Sequence, residues 1–495
     1  MKRHGTIRLA RAIGIAAWAM TASACAVQRD ALSTGSLAPV VAELEAEAQD
    51  DGEPLHGKLT VAEAVARAIR YNSALRVSEL EVVVETEKAR VATAAMLPGV
   101  VADSSYYGRG SASSSYTTLS PTIGKSSDLA LSWNVLDFGL SFVRAQQQSD
   151  KALYQYEAYR KAAQQIASET RLAYWRTVAS RKLERNLAQL RGEIDHALLL
   201  SDAAAKDTRL DPMTALSYSR EILNEQRELN ILLAELAGSE AQLRQLVNVG
   251  AGRQLILGDD GVEAVVQPPL PDPRADFRSA LSNRPEIRQL LYEQRISDDE
   301  ITSAVLQVLP GFDFDGGFAG SALTVAAGSN WLIWGAKAAW NLIGLARLPA
   351  QIDSIDADKA VLKQKTLAMA VAILTQCYVS RDQLSRQRQV YDDARRFWQV
   401  QKKLRRQVKI ATKLGQSPAQ SLTRENVSLL LADIRMMLAY ADLEHATGTY
   451  QMTIGADTAG MMAFDSVGTG EVDGRVRAPA LAAVARSGKQ ESGEP

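Results

Sequence analysis

Two stretches of the chain share one pattern: Ala68-Ile69-Arg70-Tyr71-Asn72-Ser73-Ala74-Leu75-Arg76 and, 212 residues later, Ala280-Leu281-Ser282-Asn283-Arg284-Pro285-Glu286-Ile287-Arg288. Each continues through a helical pattern to a Leu-Pro-Gly, at Leu97-Pro98-Gly99 and Leu309-Pro310-Gly311, again 212 residues apart. Trp133-Asn134-Val135-Leu136 then returns as Trp340-Asn341-Leu342-Ile343 at an offset of 207, and Pro212 returns as Pro418 at 206. Four markers in one order define an internal duplication, and a duplication of this length constrains the architecture before any single helix or strand does. A five-residue difference between the halves sits between the Pro-Gly and the Trp-Asn.

Proline and glycine interrupt helices, so their spacing sets element lengths. From Leu140 to Ala205 there is one Gly and no Pro, and from Ala350 to Leu414 there is neither. Long helices are predicted over about 140–206 and 350–413, each roughly 100 Å at ~1.5 Å per residue. Shorter helical runs at 59–96, 213–248, 274–309 and 419–454 lie two end to end beside each long helix, with turns at Arg209–Pro212 and Leu414–Pro418. The opposite end is different: residues 99–120 and 125–139 are rich in Ser, Tyr, Thr and Gly, and 311–346 repeat the strand pattern. They alternate in Leu129-Ala130-Leu131-Ser132-Trp133-Asn134-Val135 and Phe312-Asp313-Phe314-Asp315, which reads as two strands per half.

The predicted fold class is mixed α and β, mostly α: a two-repeat chain of very long antiparallel helices forming an α-barrel, plus four strands. Four strands cannot close a barrel, and an open edge cannot face lipid because its N–H and C=O groups lack partners. Three chains would give a trimeric 12-stranded membrane β-barrel, an even count that leaves a lumen.

The remaining segments frame the repeats at 59–266 and 274–455. Residues 1–24 begin basic (Lys2, Arg3, Arg8, Arg11), continue apolar from Ile13 to Ala24, and form an expected signal peptide. The run ends Ala22-Ser23-Ala24-Cys25, which reads either as a lipoprotein signal with Cys25 acylated, for example by palmitate, or as plain A-x-A cleavage before an incidental cysteine. Residues 25–58 and 456–495 are expected as loose tails, and the Pro-rich 267–273 as a linker. Formal net charge is −1, so no global field points to nucleic acid. The four His and two Cys form no cluster, no metal or cofactor is expected, and no nucleophile, base and orienter set suggests an enzyme. Cys377, within an apolar helical stretch, is expected as a buried free thiol.

Leu59-Thr60-x-x-Glu63-Ala64-Val65-x-x-Ala68, Asn72-Ser73-x-Leu75, Leu97-Pro98 and Trp133-Asn134-Val135-Leu136-Asp137-Phe138-Gly139 together resemble the TolC-type outer-membrane efflux family over about residues 59–455. The resemblance implies a homotrimer in outer-membrane lipid, a periplasmic helical tunnel, and docking on a periplasmic adaptor and an inner-membrane pump. The implied function is a passive conduit for efflux or type I secretion; the alternative is a lipid-anchored periplasmic coiled-coil adaptor. The resemblance places periplasmic tip turns at Arg209, Asp211, Pro212, Gly415, Gln416, Ser417 and Pro418. Ser421 and Arg424 stand where some members carry pore-mouth carboxylates, so an acidic entrance is not expected. Ser73 replaces the proline of the first motif, and Asn341-Leu342-Ile343-Gly344 departs from the expected Asp-x-Gly. Upstream of that mouth the helix is basic from Arg395 to Lys413, read as a solvated face, an anion-friendly entrance or a docking surface. Trp133, Phe138, Trp331, Trp334 and Trp340 suit a membrane-interface girdle or packing at the strand-to-helix junction.

Overall fold

The computed structural model describes residues 32, 34–48, 55, 57–108, 123–206, 212–250, 252–258, 269–321, 329–417 and 419–456. Residues 1–53 and 54–495 form separate units. In the first, α1 (Thr34–Ala48) replaces part of the expected loose tail with a 15-residue helix that contains Pro39 and exposes Val40, Val41 and Leu44. The signal sequence and Cys25 lie outside the described residues.

In the second unit the duplication is explicit. The first repeat runs α2 (Val61–Tyr71), α3 (Ser73–Ala94), β1 (Gly99–Gly108), β2 (Ile123–Asn134), α4 (Val135–Lys206), α5 (Pro212–Leu236) and α6 (Ser239–Leu246). The second runs α7 (Pro273–Asn283), α8 (Pro285–Leu306), β3 (Gly311–Ser321), β4 (Ser329–Ala339), α9 (Leu342–Lys413) and α10 (Ala419–Thr453). Both long helices have 72 residues. They start earlier than their proline and glycine content suggested, and α9 carries Pro349 within it, giving up one backbone hydrogen bond.

Each shorter run is shaped by its caps. Thr60 and Glu63 close a reciprocal capping box on α2, Thr60 N–H donating to Glu63 Oε2 at 2.8 Å and Glu63 N–H to Thr60 Oγ1 at 3.3 Å. Asn72 ends α2 in extended geometry and caps α3 by accepting from Leu75 N–H at 3.1 Å. At the corresponding break, Pro285 occupies the first turn of α8 and no side chain caps it. Gly238, at φ +87°, separates α5 from α6, a conformation that favours glycine. Its counterpart at an offset of 206 is Glu444, and there α10 continues unbroken.

The core lies where the repeats meet along α4 and α10. Trp175 stacks edge-on against both Tyr174 and Tyr440 at 5.2 and 4.8 Å, and Tyr391 joins Tyr440 at 5.5 Å. The Tyr174 hydroxyl lies 2.7 Å from the Leu59 carbonyl and 2.8 Å from that of Gly258, tying the crossing strand-like segments to α4. Leu183, Ile194, Ile222, Leu229 and Leu243 are fully buried around it, each worth about 1.5–3 kcal/mol relative to an exposed side chain.

α4 packs on both repeats: against α2, α3, α5 and α6 of its own, and against α8 and α10 of the other. α9 packs on α7, α8 and α10, all of its own repeat. The four strands form one antiparallel sheet in the order β1-β2-β3-β4, so β1 and β4 are its edges.

Candidate functional site

The sheet separates its chemistry by face. Directly paired residues share a face, and the register pairs Trp133 with Phe314 and Phe314 with Ala336, while Leu131 pairs with Val100 and Leu129 with Ala102. That face is apolar, and Leu332 and Trp334 extend it across β4. The opposite face pairs Asn134 with Asp313 and Asp313 with Lys337, and next to them Ser132 with Asp315. Asp103 of β1 lies on this polar face too, alternating with Ala102. An antiparallel sheet with one apolar and one acidic face suits lipid outside and water inside.

The corners between strand and long helix are built by asparagines. Asn134 Oδ1 accepts from the N–H groups of Leu136 at 2.8 Å and Asp137 at 3.1 Å, and its amide donates to Asp313 at 2.5 Å. Asn341 Oδ1 repeats the cap by accepting from Gly344 N–H at 3.0 Å. This explains the early helix starts, since a capping asparagine before an apolar run is an N-terminal signal. Of the five aromatics, Trp133 and Phe138 meet edge to face at 6.1 Å with both rings partly exposed, and Trp334 is 81% exposed. Trp340 is tied inward at its polar end, its indole N–H donating to the Val308 carbonyl at 2.9 Å. The Trp331 side chain is outside the described residues.

At the far end of the hairpins, Arg209, Asp211 and Pro418 also lie outside the described residues, and Pro212 opens α5. Gly415 stands at φ +73° and closes α9: its N–H donates to Thr412 O at 3.1 Å and that of Gln416 to Ala411 O at 2.9 Å, and Ser417 follows. Arg424 is not a free cation. It bonds Glu221 of α5 and Glu425 of its own helix, each at 3.2 Å. Around it the α5–α10 seam continues through Tyr218 OH to the Gln420 carbonyl, Ser428 Oγ to Glu225 at 2.6 Å, and Arg435 to Glu228. Burial pushes the Tyr218 hydroxyl up to about 12 and raises Glu225, which the Ser428 bond opposes. Ser421 is half-buried beside this seam. Sequence reasoning named Arg424 but missed Glu221, because residues 203 positions apart give no local signal, and it passed over the adjacent Glu425.

The two repeats use equivalent surfaces unequally. α8 meets its own long helix α9 through Gln294, bonded to Thr366 at 2.8 Å, and Asp298, paired with Lys359 at 2.6 Å. With a second face it meets α4: Gln289 donates to the Tyr154 carbonyl at 3.3 Å, Gln147 to the Ile296 carbonyl at 3.1 Å, and Arg295 pairs with Asp150 at 2.9 Å. Subtracting the repeat offset of 212 converts Gln289 and Ile296 to Val77 and Val84 of α3, which are 57% and 51% exposed. α3 meets α4 with its other face, through Glu81 and Glu85. At the offset of 207 that holds past the strands, Tyr154 becomes Val361 of α9, exposed, and the buried Leu183 and Ala197 become Val390 and Leu404, 51% and 46% exposed. The chain therefore holds a face of α3 and a flank of α9 whose counterparts are covered.

Among solved structures, the chain is similar to the outer-membrane channel OprN at 14% identity, covering 80% of this chain and 90% of that one, with a TM-score of 0.62. It is similar to CusC at 13% identity, covering 83% and 96%, TM-score 0.61, and to the MtrE outer-membrane channel of Neisseria gonorrhoeae at 14%, covering 80% and 91%, TM-score 0.61. No protein-family model matches the chain, and no curated protein matches it. The fold is thus that of TolC-type outer-membrane efflux channels, mostly helical with a small strand sheet, as the sequence resemblance implied.

Proposed function

We propose that this chain, which has the fold of TolC-type outer-membrane channels, assembles head to tail as a homotrimer into a passive outer-membrane conduit. The observation that carries this is the unequal use of the two repeats: α3 and α9 keep bare the faces that their counterparts bury, and β1 and β4 keep free edges. A second copy whose α9 flank meets α3 of the first would make at each junction the contact that α4 already makes with α8 within the chain. Such an interface is heterologous and closes into a ring. Three copies supply twelve strands, and the apolar face led by Trp133, Phe314 and Trp334 would meet lipid while Asp313, Asp315 and Lys337 line water.

In this role no chemistry is required of the protein and no cofactor is needed. The helical tube would extend into the periplasm, its tip turns meeting an adaptor that joins an inner-membrane pump of an efflux or type I secretion system. Cys25, once residues 1–24 are removed, would carry the lipid anchor. The test is hydrodynamic and electrical: mature protein in detergent should behave as a trimer and give discrete conductance steps in planar bilayers. A stable monomer that leaves bilayers silent would overturn the proposal, whereas acyl mass on Cys25 would be read separately by mass spectrometry.

A further inference from the structure

From Arg395 to Lys413, the end of α9, the chain carries eight cations and no carboxylate. The corresponding end of α4, Ala188 to Lys206 at the offset of 207, carries two cations and three carboxylates. The comparison is residue for residue, because both helices have 72 residues and start 207 positions apart at Val135 and Leu342. Lys402 stands where α4 has Asp195, and Lys409 where it has Asp202. The two duplicated hairpins thus present opposite charge at the same places.

Lys402, Arg406, Lys409 and Lys413 follow one another at helical spacing, which puts them on one face. At ~1.5 Å per residue the ladder is ~17 Å long. All four are exposed, as are Arg396 and Lys403 on the adjoining line, and none of these residues has an ion-pair partner among the described residues. The carboxylates of α10, which packs along α9, do not balance them. Asp433, Asp442 and Glu444 pair with Lys182, Arg176 and Arg171 of α4. Glu425 is 5% exposed and accepts from Gln401 at 2.6 Å and from Arg424 at 3.2 Å. Like charges three or four residues apart on a helix repel, so the lone chain keeps a repulsion that an acidic partner would relieve.

This face is separate from the flank assigned to assembly. Val390, Phe397 and Leu404 recur every seventh residue, and at ~100° per residue the ladder lies ~150° round the helix from them. The basic face also has an apolar footing. Ile410 and Leu414, 47% and 67% exposed, continue the line of Arg396 and Lys403. Lys402 is laid over the ring of the buried Trp398 at 4.2 Å, which holds its stem in place.

We infer that this face of α9 is a docking surface for an acidic amphipathic helix, apolar side chains against Ile410 and Leu414 and carboxylates against the cations beside them. Charges flanking an apolar line set partner choice between packed helices. A flexible polyanion would use the cations and leave Ile410 and Leu414 in water. The equivalent face of α4, with Asp195 and Asp202, would repel the same helix. Each chain therefore offers one such surface although it holds two hairpins. The inference rests on the proposed docking role and adds to it the partner's chemistry and the hairpin that reads it.

The experiment is fluorescence anisotropy of the full chain in nonionic detergent at about 0.15 M salt, where charges beyond about 8 Å are screened. The probe is a labelled synthetic helix with Leu along one face and Glu on both sides of it. Saturable binding of one peptide per chain is expected, weakened at least about tenfold in Lys402→Asp/Lys409→Asp, which gives α9 the residues of α4. Ile410→Ser/Leu414→Ser should weaken it too, with helical circular dichroism retained in both variants. Absence of binding would overturn the inference, as would equal affinity in the parent and Lys402→Asp/Lys409→Asp. Equal binding by polyglutamate, or by a peptide of the same composition in scrambled order, would overturn it in favour of a polyanion surface. Light scattering and conductance of the same samples separate the two readings: a monomer silent in bilayers that still binds the helix would sink the conduit and uphold the docking face.

Discussion

Ser73 shows how much one residue can reveal about a duplicated chain. It stands in the first turn of α3, where Pro285 stands in α8, and Asn72 before it already has φ −66° and ψ 121°, the extended geometry that a following proline demands. Ser73→Pro should therefore stabilise the protein by about 0.4–1 kcal/mol, through loss of freedom in the unfolded chain. A thermal melt that falls instead of rising would show that the two breaks are not equivalent. The breaks at Asn72 and Arg284 were not read from the sequence, which took 59–96 and 274–309 as one helical run each. Arg424 was legible only as a position. Its pairing with Glu221 and Glu425 makes it a fastener between α5 and α10, so Arg424→Ala should speed hydrogen exchange at residues 419–425 and 213–221 several-fold. Exchange unchanged from the parent would return the residue to the status of a surface cation.

Elements differ from expectation at their ends and by division, since the runs expected at 59–96, 213–248 and 274–309 each hold two helices. The long helices were visible as spans without breakers, but their starts were set too late because the capping roles of Asn134 and Asn341 depend on strand residues just before them. The seam between α4 and α8 carries a charge that local pattern could not reveal. Asp150 is almost wholly buried, and burial lifts its carboxyl to about 6 against the pull of Arg295, with Asp299 adding to the rise. A carboxyl whose folded pKa is raised takes up a proton more readily when folded, so its unfavourable contribution is present above pH 6 and is relieved as the pH falls toward its unfolded value. The melting temperature should therefore gain between pH 7 and pH 5 from this group, and Asp150→Asn should be more stable than the parent at pH 7 with that gain flattened. An identical pH profile for both proteins would mean the ion pair, not burial, governs the site.

For the whole molecule, the duplication makes the assembly interface testable without a complex in hand. Val77→Lys or Val361→Asp alone should break the proposed trimer into smaller species in detergent, and the two together should restore it, as read by light scattering. Failure of the pair to restore would place α9 against some other surface. The polar face of the sheet adds a prediction for transport. Asp103, Asp313 and Asp315 outnumber Lys337, so a lumen built from it should prefer cations, and Asp313→Asn/Asp315→Asn should move the reversal potential in a salt gradient toward zero. An unmoved potential would put selectivity at the hairpin tips. The proposed number of copies rests on a physical rule about open strands, and the bare faces of α3 and α9 became visible only when the repeats were laid over one another in three dimensions.

The free edges of β1 and β4 also have a kinetic meaning. A lone chain presents two rows of unsatisfied backbone groups flanked by Val100, Leu332 and Trp334, the kind of template on which strands add indiscriminately. Under the proposed assembly, closure and membrane entry become one event, and the early rate of channel appearance should approach third order in chain concentration. The same exposure sets an upper limit on how much unassembled chain a cell can hold, since raising its concentration would speed aggregation together with assembly.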